Sequence, residues 1–426
     1  QAPAGEYIDA TWKLAQVKKQ LGDYDAAAEA YREFATLTPD ADWAGKSLEE
    51  AEACSWAQEI INNPTKGLKV DTLGATINTP YSEYYPIPYE DELYYTSLSY
   101  FPEEDIHDPV RPVMKVMKSL SLKPGDLMPD LNDDTLHTAY MTFNTNYSRV
   151  YYCLCSYRAF ADIQCELYYR DIMEDAALGA PVKLPDNINV IGSTNSQPNI
   201  GFDKEADREL LFYVSDRDEG KGGMDIWCSI IDKKGGFSAP FPVADINTEE
   251  DDATPFFHQE SQNLYFASQG HKGLGGFDLF RAEKDGDGYL EPENLGYPTN
   301  SSFNDISIYL SSDETSGFLA SNRQGSVTFD GIREYCCYDI FGFQQTVARL
   351  KIELFACDRE QDVPVYNADL ALYEVDENGV ERFMEKLKSE TNIYTKVVQR
   401  NKTYRVQAME EGYESAEYVF DLTRPN

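Results

Sequence analysis

The chain has 426 residues, 74 of them acidic and 37 basic, for a formal net charge of −37. A surface this negative repels nucleic-acid phosphate and anionic lipid headgroups, so both are poor partners. Aromatic residues make up 13% of the chain, supplying the apolar area that disordered acidic tails lack, and the length predicts two to four folded domains.

The chain opens Gln1-Ala2-Pro3-Ala4-Gly5-Glu6 with no basic-then-apolar signal region. That fits a mature secreted chain whose signal peptide has been removed, or one trimmed at its start. No run approaches the roughly 18 apolar residues of a membrane span. Residues 8 to 39 read as a helix pair. Trp12, Leu14, Ala15, Val17 and Leu21 mark the first helix, Gly22-Asp23 the break, and Tyr24, Ala27, Ala28, Tyr31 and Phe34 the second, which stops at Pro39. Ala15, Gly22, Tyr24, Ala27, Tyr31 and Pro39 fall at tetratricopeptide spacing. A further helix from Trp43 to Asn62 covers the pair, and Asn63-Pro64 ends it.

The next segment carries an internal repeat. A strand phrase recurs as Asp91–Ser97, Glu209–Ser215 and Asn263–Ser268, more weakly as Arg149–Cys153 and Gly317–Ser321. A second phrase follows the later copies, at Gly222–Trp227, Gly275–Phe280 and Cys337–Phe341, with Glu166–Tyr169 a degenerate copy. The period of roughly 50 to 60 residues is in the propeller range. Apolar strands parted by Gly, Asp and Asn turns cannot close a core singly, whereas five units arranged radially can. A third phrase, Val243–Thr248 and Leu295–Asn300, precedes the last two units, and appears before the first as Leu73–Thr79. No copy follows the last unit, so the early segment is expected to supply the outer strand of the final blade and fasten the ring. Five blades are expected, with six as the alternative.

Short alternating strands then appear at Ala348–Phe355, Ala368–Val375, Tyr394–Val398, Tyr404–Ala408 and Tyr418–Leu422, which suggests a small antiparallel β-sandwich. The predicted architecture is therefore multidomain and mainly β. It comprises an α-helical repeat (1–66), a β-propeller (67–345) and a C-terminal β-sandwich (346–426).

The order of these parts resembles the PorE family of Bacteroidetes envelope proteins, associated with the type IX secretion system. Leu264–Phe280 and Leu211–Trp227 resemble the TolB-type repeat, and Ala368–Tyr373, Tyr404–Ala408 and Glu411-Gly412-Tyr413 the carboxypeptidase regulatory-like sandwich. Thr391–Tyr394 departs from the latter, which usually has a Gly-containing turn there. The resemblance implies a periplasmic, outer-membrane-associated protein whose partners are proteins of the secretion or gliding machinery. Such proteins typically continue into an OmpA-like domain, so peptidoglycan is a partner only if the natural chain extends past Asn426.

The eight cysteines, Cys54, Cys153, Cys155, Cys165, Cys228, Cys336, Cys337 and Cys357, show no C-x-x-C pair, and there are only four His. A zinc site is therefore not expected. Cys153 and Cys155 share one face of a strand. Some disulfides would form in an oxidising compartment, the other cysteines being buried thiols, and the pairing stays open.

Glu283 to Glu291 resembles a calcium loop, with Asp285, Asp287 and Glu291 as candidate ligands. Position twelve is Asn294, so the bidentate Glu is missing, and an inter-blade turn is the preferred reading. No other metal or cofactor is expected. The repeated Asp225, Asp278 and Asp339 are expected to tie strand to turn rather than form a catalytic ring. His107, His137, His258 and His271 share no spacing, and neither a G-x-S-x-G elbow nor a P-loop occurs. The tyrosines at 81, 84, 85, 89, 94 and 95 are expected mainly in blade packing, and the acidic run from Asp245 to Asp252 in a solvated loop.

With no catalytic residues assigned, the expected function is a non-enzymatic scaffold that docks proteins through its helical repeat and propeller. The alternative is a solute- or peptide-binding propeller of the cell envelope, with its ligand in the central channel. A hydrolase would need a further catalytic domain.

Overall fold

The computed structural model describes residues 8–102, 111–158, 163–327, 337–358, 361–366, 368–376, 378–400, 402–410 and 412–423. They fall into two compact units, Gln1–Pro64 with Val70–Phe343 and Thr65–Lys69 with Gln344–Asn426. The mainly β class with helices at the start agrees with the sequence. Among the described residues, no helix is long and apolar enough to cross a membrane.

Three helices open the first unit: α1 (Ile8–Gln20), α2 (Tyr24–Leu37) and α3 (Ala41–Asn62). The α1–α2 break is a tight turn with Gly22 at φ +76°, a conformation glycine adopts without strain. Asp23 caps α2 by accepting the Ala26 N–H at 3.4 Å. Asp40 caps α3, accepting from Asp42 and Trp43 N–H at 3.0 and 3.1 Å. This cap starts α3 two residues before the expected Trp43. Ala15, Ala27, Ala51 and Ala57 are buried where the helices approach, with Tyr24 and Tyr31 filling the gaps. Leu274 and the half-buried Tyr297, from propeller loops, join this cluster and seat the helices on the blades.

The propeller consists of five four-stranded antiparallel sheets. Their innermost strands are Glu83–Tyr89, His137–Phe143, Asn195–Asp203, Asp252–Phe257 and Asp305–Leu310. Four blades end on a two-residue outer strand. The fifth takes Leu68–Thr72 as its outer strand, paired with Asp339–Gln345. The ring thus closes as predicted, by a strand from before the first blade, and no blade leaves a long edge open.

Five asparagines make the repeat regular. Asn78, Asn132, Asn189, Asn247 and Asn300 each accept a backbone N–H from a third strand, at 2.7–2.9 Å from Ile340, Val116, Leu167, Ile226 and Leu279. Each also donates to the carbonyl of that same residue. A primary amide, with a donor and an acceptor side by side, satisfies both groups of one peptide position. The asparagine of the third sequence phrase is therefore present in every blade.

Each blade also repeats one polar row. In the third blade Asn195, Ser215 and Asp225 are register partners, and in the fourth Asp252, Ser268 and Asp278. The first blade has Glu83, Ser97 and Lys115 there. In the second the row is His137, Cys155 and Cys165, and these two cysteines form a disulfide. The disulfide joins the second and third strands at the positions where the third and fourth blades place Ser opposite Asp. Cys54, Cys153 and Cys228 are buried free thiols. Because the disulfide closes a loop with a sequence separation of 10, changing Cys155 and Cys165 together to Ser should cost about 3 kcal/mol in urea unfolding. An unchanged midpoint would contradict that role.

In the second unit Glu381–Leu387, Asp369–Val375, Thr403–Met409 and Ala416–Asp421 form a four-stranded sheet. Val347–Glu353 pairs with Ile393–Gln399, and Phe355–Asp358 with Gln361–Pro364. Leu370, Leu372, Tyr394, Tyr404 and Val406 make its core. Glu381–Leu387 is an additional strand, absent from the sequence reading because its mostly exposed side chains carry no alternation.

Candidate functional site

At the central channel, where the alternative reading placed a ligand, the innermost strands bond to one another. Each innermost strand has a bulge, and at each bulge one residue has positive φ: Tyr85, Tyr140, Gln197, Thr254 and Ser307. The bulge turns these side chains onto neighbouring blades. Gln197 Oε1 accepts the Thr254 N–H at 2.6 Å, Thr254 Oγ1 accepts the Ser307 N–H at 3.0 Å, and the Tyr85 hydroxyl donates to the Pro198 carbonyl at 2.8 Å. A void beside Tyr85, Asn199, Thr254 and Ser307 measures about 10 Å3, room for one water at most.

The repeated aspartates tie strand to turn. Asp225 Oδ2 accepts the Lys221 and Gly222 N–H groups at 2.8 and 3.1 Å, Asp278 Oδ2 that of Gly275 at 2.9 Å, and Asp339 Oδ2 that of Val327 at 2.7 Å. Burial pushes the carboxyls of Asp252, Asp278 and Asp339 up to about 6, 8 and 7.

The calcium candidates lie on a hairpin in which Lys284–Asp285 pairs with Gly288–Tyr289. Asp287 accepts from Arg208 at 2.6 Å, and Glu291 is exposed outside the paired residues. Among the described residues, no group of three or more His, Cys, Asp or Glu stands where it could hold a metal ion. Of the histidines, His107 lies outside the described residues. His137 is buried, and burial lowers it to about 4. His258 meets Ser261 at 2.8 Å and the Ser311 carbonyl at 3.0 Å. Tyr84, Tyr85, Tyr94 and Tyr95 are buried, while Tyr81 and Tyr89 are half-buried.

A concavity of about 920 Å3 lies between the helices and the loops of the fourth and fifth blades. One wall is an aromatic ledge. Trp12 packs on Tyr31 and meets Trp43 edge-on at 5.0 Å. Trp43 itself is 46% exposed, with the Lys46 ammonium 5.7 Å above its ring. The facing wall is backbone-rich: Gly270, Gly273, Gly275 and Gly276 line it, with Gln269 and His271. Gln16, Gln20 and Asn304 add amides, and Glu49, Glu50 and Glu250 add carboxylates. Two ties cross between the walls, the Lys46–Glu250 ion pair and the Ser302 hydroxyl donating to the Gln20 carbonyl at 2.8 Å. Lys19 and Glu50 pair at 2.9 Å. Burial works against the Lys19 charge, but Glu50 outweighs it and holds the ammonium above its usual range.

Of the histidines and acidic residues weighed as site candidates in the sequence, His271 and Glu250 reach this cleft. Other members of the acidic run are spent locally: Asp245 accepts the Tyr289 N–H at 3.1 Å and Asp251 the Met224 N–H at 2.8 Å. Trp43 and Lys46 were not anticipated. The available signal was that Trp12, Trp43 and Trp56, three of only four tryptophans, fall within the short helical segment.

No family model and no curated protein matches the chain. Solved structures similar to it include an endo-arabinase from Bacteroides thetaiotaomicron, at 12% identity and TM-score 0.40, over 66% of this chain and 98% of that one. A GH43 endo-arabinanase from Bacillus licheniformis gives 11% and 0.39, over 73% and 99%. An exo-β-1,3-galactanase from Clostridium thermocellum gives 10% and 0.40, over 84% and 87%. The PorE-like identification is corrected: no family model supports it, and the similar solved structures are named as arabinanases and a galactanase. The assignments built on it fall as well: a non-enzymatic scaffold, a part in type IX secretion or gliding, and protein docking through the helices and propeller. The likeness itself transfers no activity and no substrate to this chain.

Proposed function

We propose that the chain is a carbohydrate-active protein that holds a saccharide in the cleft between its helices and the fourth and fifth blades. The observation that carries this is the exposed Trp43 ledge facing a wall of glycine backbone, amides and carboxylates. A sugar ring has C–H faces that pack on an indole and in-plane hydroxyls that need donors and acceptors together. The side-chain amides of Gln16, Gln20, Gln269 and Asn304 carry both. Glu50 and Glu250, on opposite walls, are the groups that acid–base chemistry at a glycosidic bond would draw on.

Calorimetric titration with a panel of pentose and hexose oligosaccharides tests this, with release of reducing ends assayed on the same panel. Trp43→Ala should weaken binding about thirtyfold, the scale of losing one aromatic anchor. The proposal fails if the wild type binds no member of the panel, or if Trp43→Ala leaves affinity unchanged. For location we propose an oxidising compartment outside the cytoplasm, such as the periplasm, supported by the Cys155–Cys165 disulfide.

A further inference from the structure

We propose that Asp278 is a proton-operated latch beneath the cleft: neutral, it holds the glycine rim closed, and ionised, it loosens that rim. Asp278 is fully buried, and the rim is built around it. Its Oδ2 accepts the Gly275 N–H at 2.9 Å. A Cβ on Gly273 would lie 2.1 Å from that same oxygen, so the rim there has no slack. Gly273 and Gly275 both line the cleft. Asp278 Oδ1 has no hydrogen-bond partner.

The groups facing this carboxyl give an ionised form little support. Lys19, on α1, is the cation whose field reaches it, and Lys19 is already paired with Glu50 at 2.9 Å. From α2 comes the buried Tyr24 hydroxyl. The fifth blade presents Asp305, a second carboxyl, held by Arg323 and Ser301. Ser268 is the register partner on the second strand. Burial raises Asp278 to about 8, and Asp305 adds to the rise, while the Gly275 and Leu274 N–H groups and Lys19 oppose it.

The sign follows from the two end states. Unfolded, Asp278 releases its proton near its ordinary value of 3.8; folded, it keeps it to about 8. Between those values the folded state binds the extra proton, so stability falls as pH rises and the loss is complete above about 8. That strain sits directly under the rim. The proposal rests on the cleft being the ligand site, but its test needs no ligand.

Hydrogen exchange of segment 269–277 is followed from pH 6 to 9.5, corrected for the intrinsic pH dependence of exchange, in wild type and Asp278→Asn. The wild type should lose protection in this segment from pH 6 to about 8, by up to about tenfold per pH unit, the limit for one proton, and then level off. The Asn variant keeps the acceptor without the charge and should stay flat. A wild-type segment that stays flat, or equal slopes in both proteins, overturns the latch. So does a loss spread evenly over all blades in the wild type, which decides the matter even if the variant fails to fold. Rim loosening without saccharide binding keeps the latch and removes the proposed function. Saccharide binding with a pH-independent rim does the reverse.

Discussion

Gly275→Ala is expected to destabilise the first unit by roughly 3 kcal/mol or more, the upper range for steric overpacking. A Cβ at this position would stand 1.9 Å from the Phe303 carbonyl oxygen and 2.8 Å from that of Ser301. Both are backbone atoms at the start of the fifth blade, and the Gly276 N–H donates to the same Phe303 carbonyl at 3.1 Å. Relief therefore requires one blade to move against the next. The same arrangement recurs one blade earlier, where a Cβ on Gly222 would meet the Glu249 backbone at 2.3 Å. The paired glycines of the second phrase are thus set by contact between blades. Gly45, within α3, has nothing within 4 Å of such an atom. Gly45→Ala should be neutral or stabilise by about 0.5–1 kcal/mol through helix propensity. Urea unfolding of the two variants compares them directly, and equal midpoints would dispose of the argument.

Arg323→Ala is expected to cost about 3–5 kcal/mol, because it leaves the fully buried Asp305 without its cation. Arg323 also donates to the Pro298 carbonyl at 2.7 Å, and to the Thr299 carbonyl. Its third-blade counterpart, Arg217, reaches the Asn195 amide oxygen at 2.9 Å and the Ile188 carbonyl at 2.7 Å. The geometry is alike, but the buried partner is neutral, so Arg217→Ala should cost about 1–3 kcal/mol. Adding Asp305→Asn to Arg323→Ala should recover part of the loss, since the uncompensated charge is then gone. If Arg323→Ala and Arg217→Ala cost the same and the double variant recovers nothing, the Asp305 charge is not what Arg323 serves.

Much of the ring was legible because a propeller states its rules repeatedly. The strand phrase, the Gly-Gly-x-Asp phrase and the closing segment could each be found by comparing the chain with itself. Asn132 and Asn189 were missed because the residues around them differ while the asparagine and its task remain. Cys155 and Cys165 were missed as a pair for the opposite reason. The sequence shows them ten apart, but only the row of Ser and Asp in the other blades reveals that they face each other.

The cleft was not legible at all. Its walls meet through Lys46 with Glu250, 204 residues apart, and Gln20 with Ser302, 282 apart. Helical periodicity assigned Trp12 to a packed face, which is correct for its contact with Tyr31. It says nothing of the open space beyond Trp43. The phrases that specify a ring are shared by propellers of unrelated roles, which is why resemblance at that level misled about function.

The central claim is that the ligand sits between the helices and the blades rather than in the channel. Its most direct test is a crystal structure of the protein with the tightest-binding oligosaccharide of the panel. Sugar density stacked on Trp43 and bonded to the Gly270–Gly276 rim is the predicted result. Density in the channel beside Tyr85 and Ser307, with the cleft empty, would contradict it.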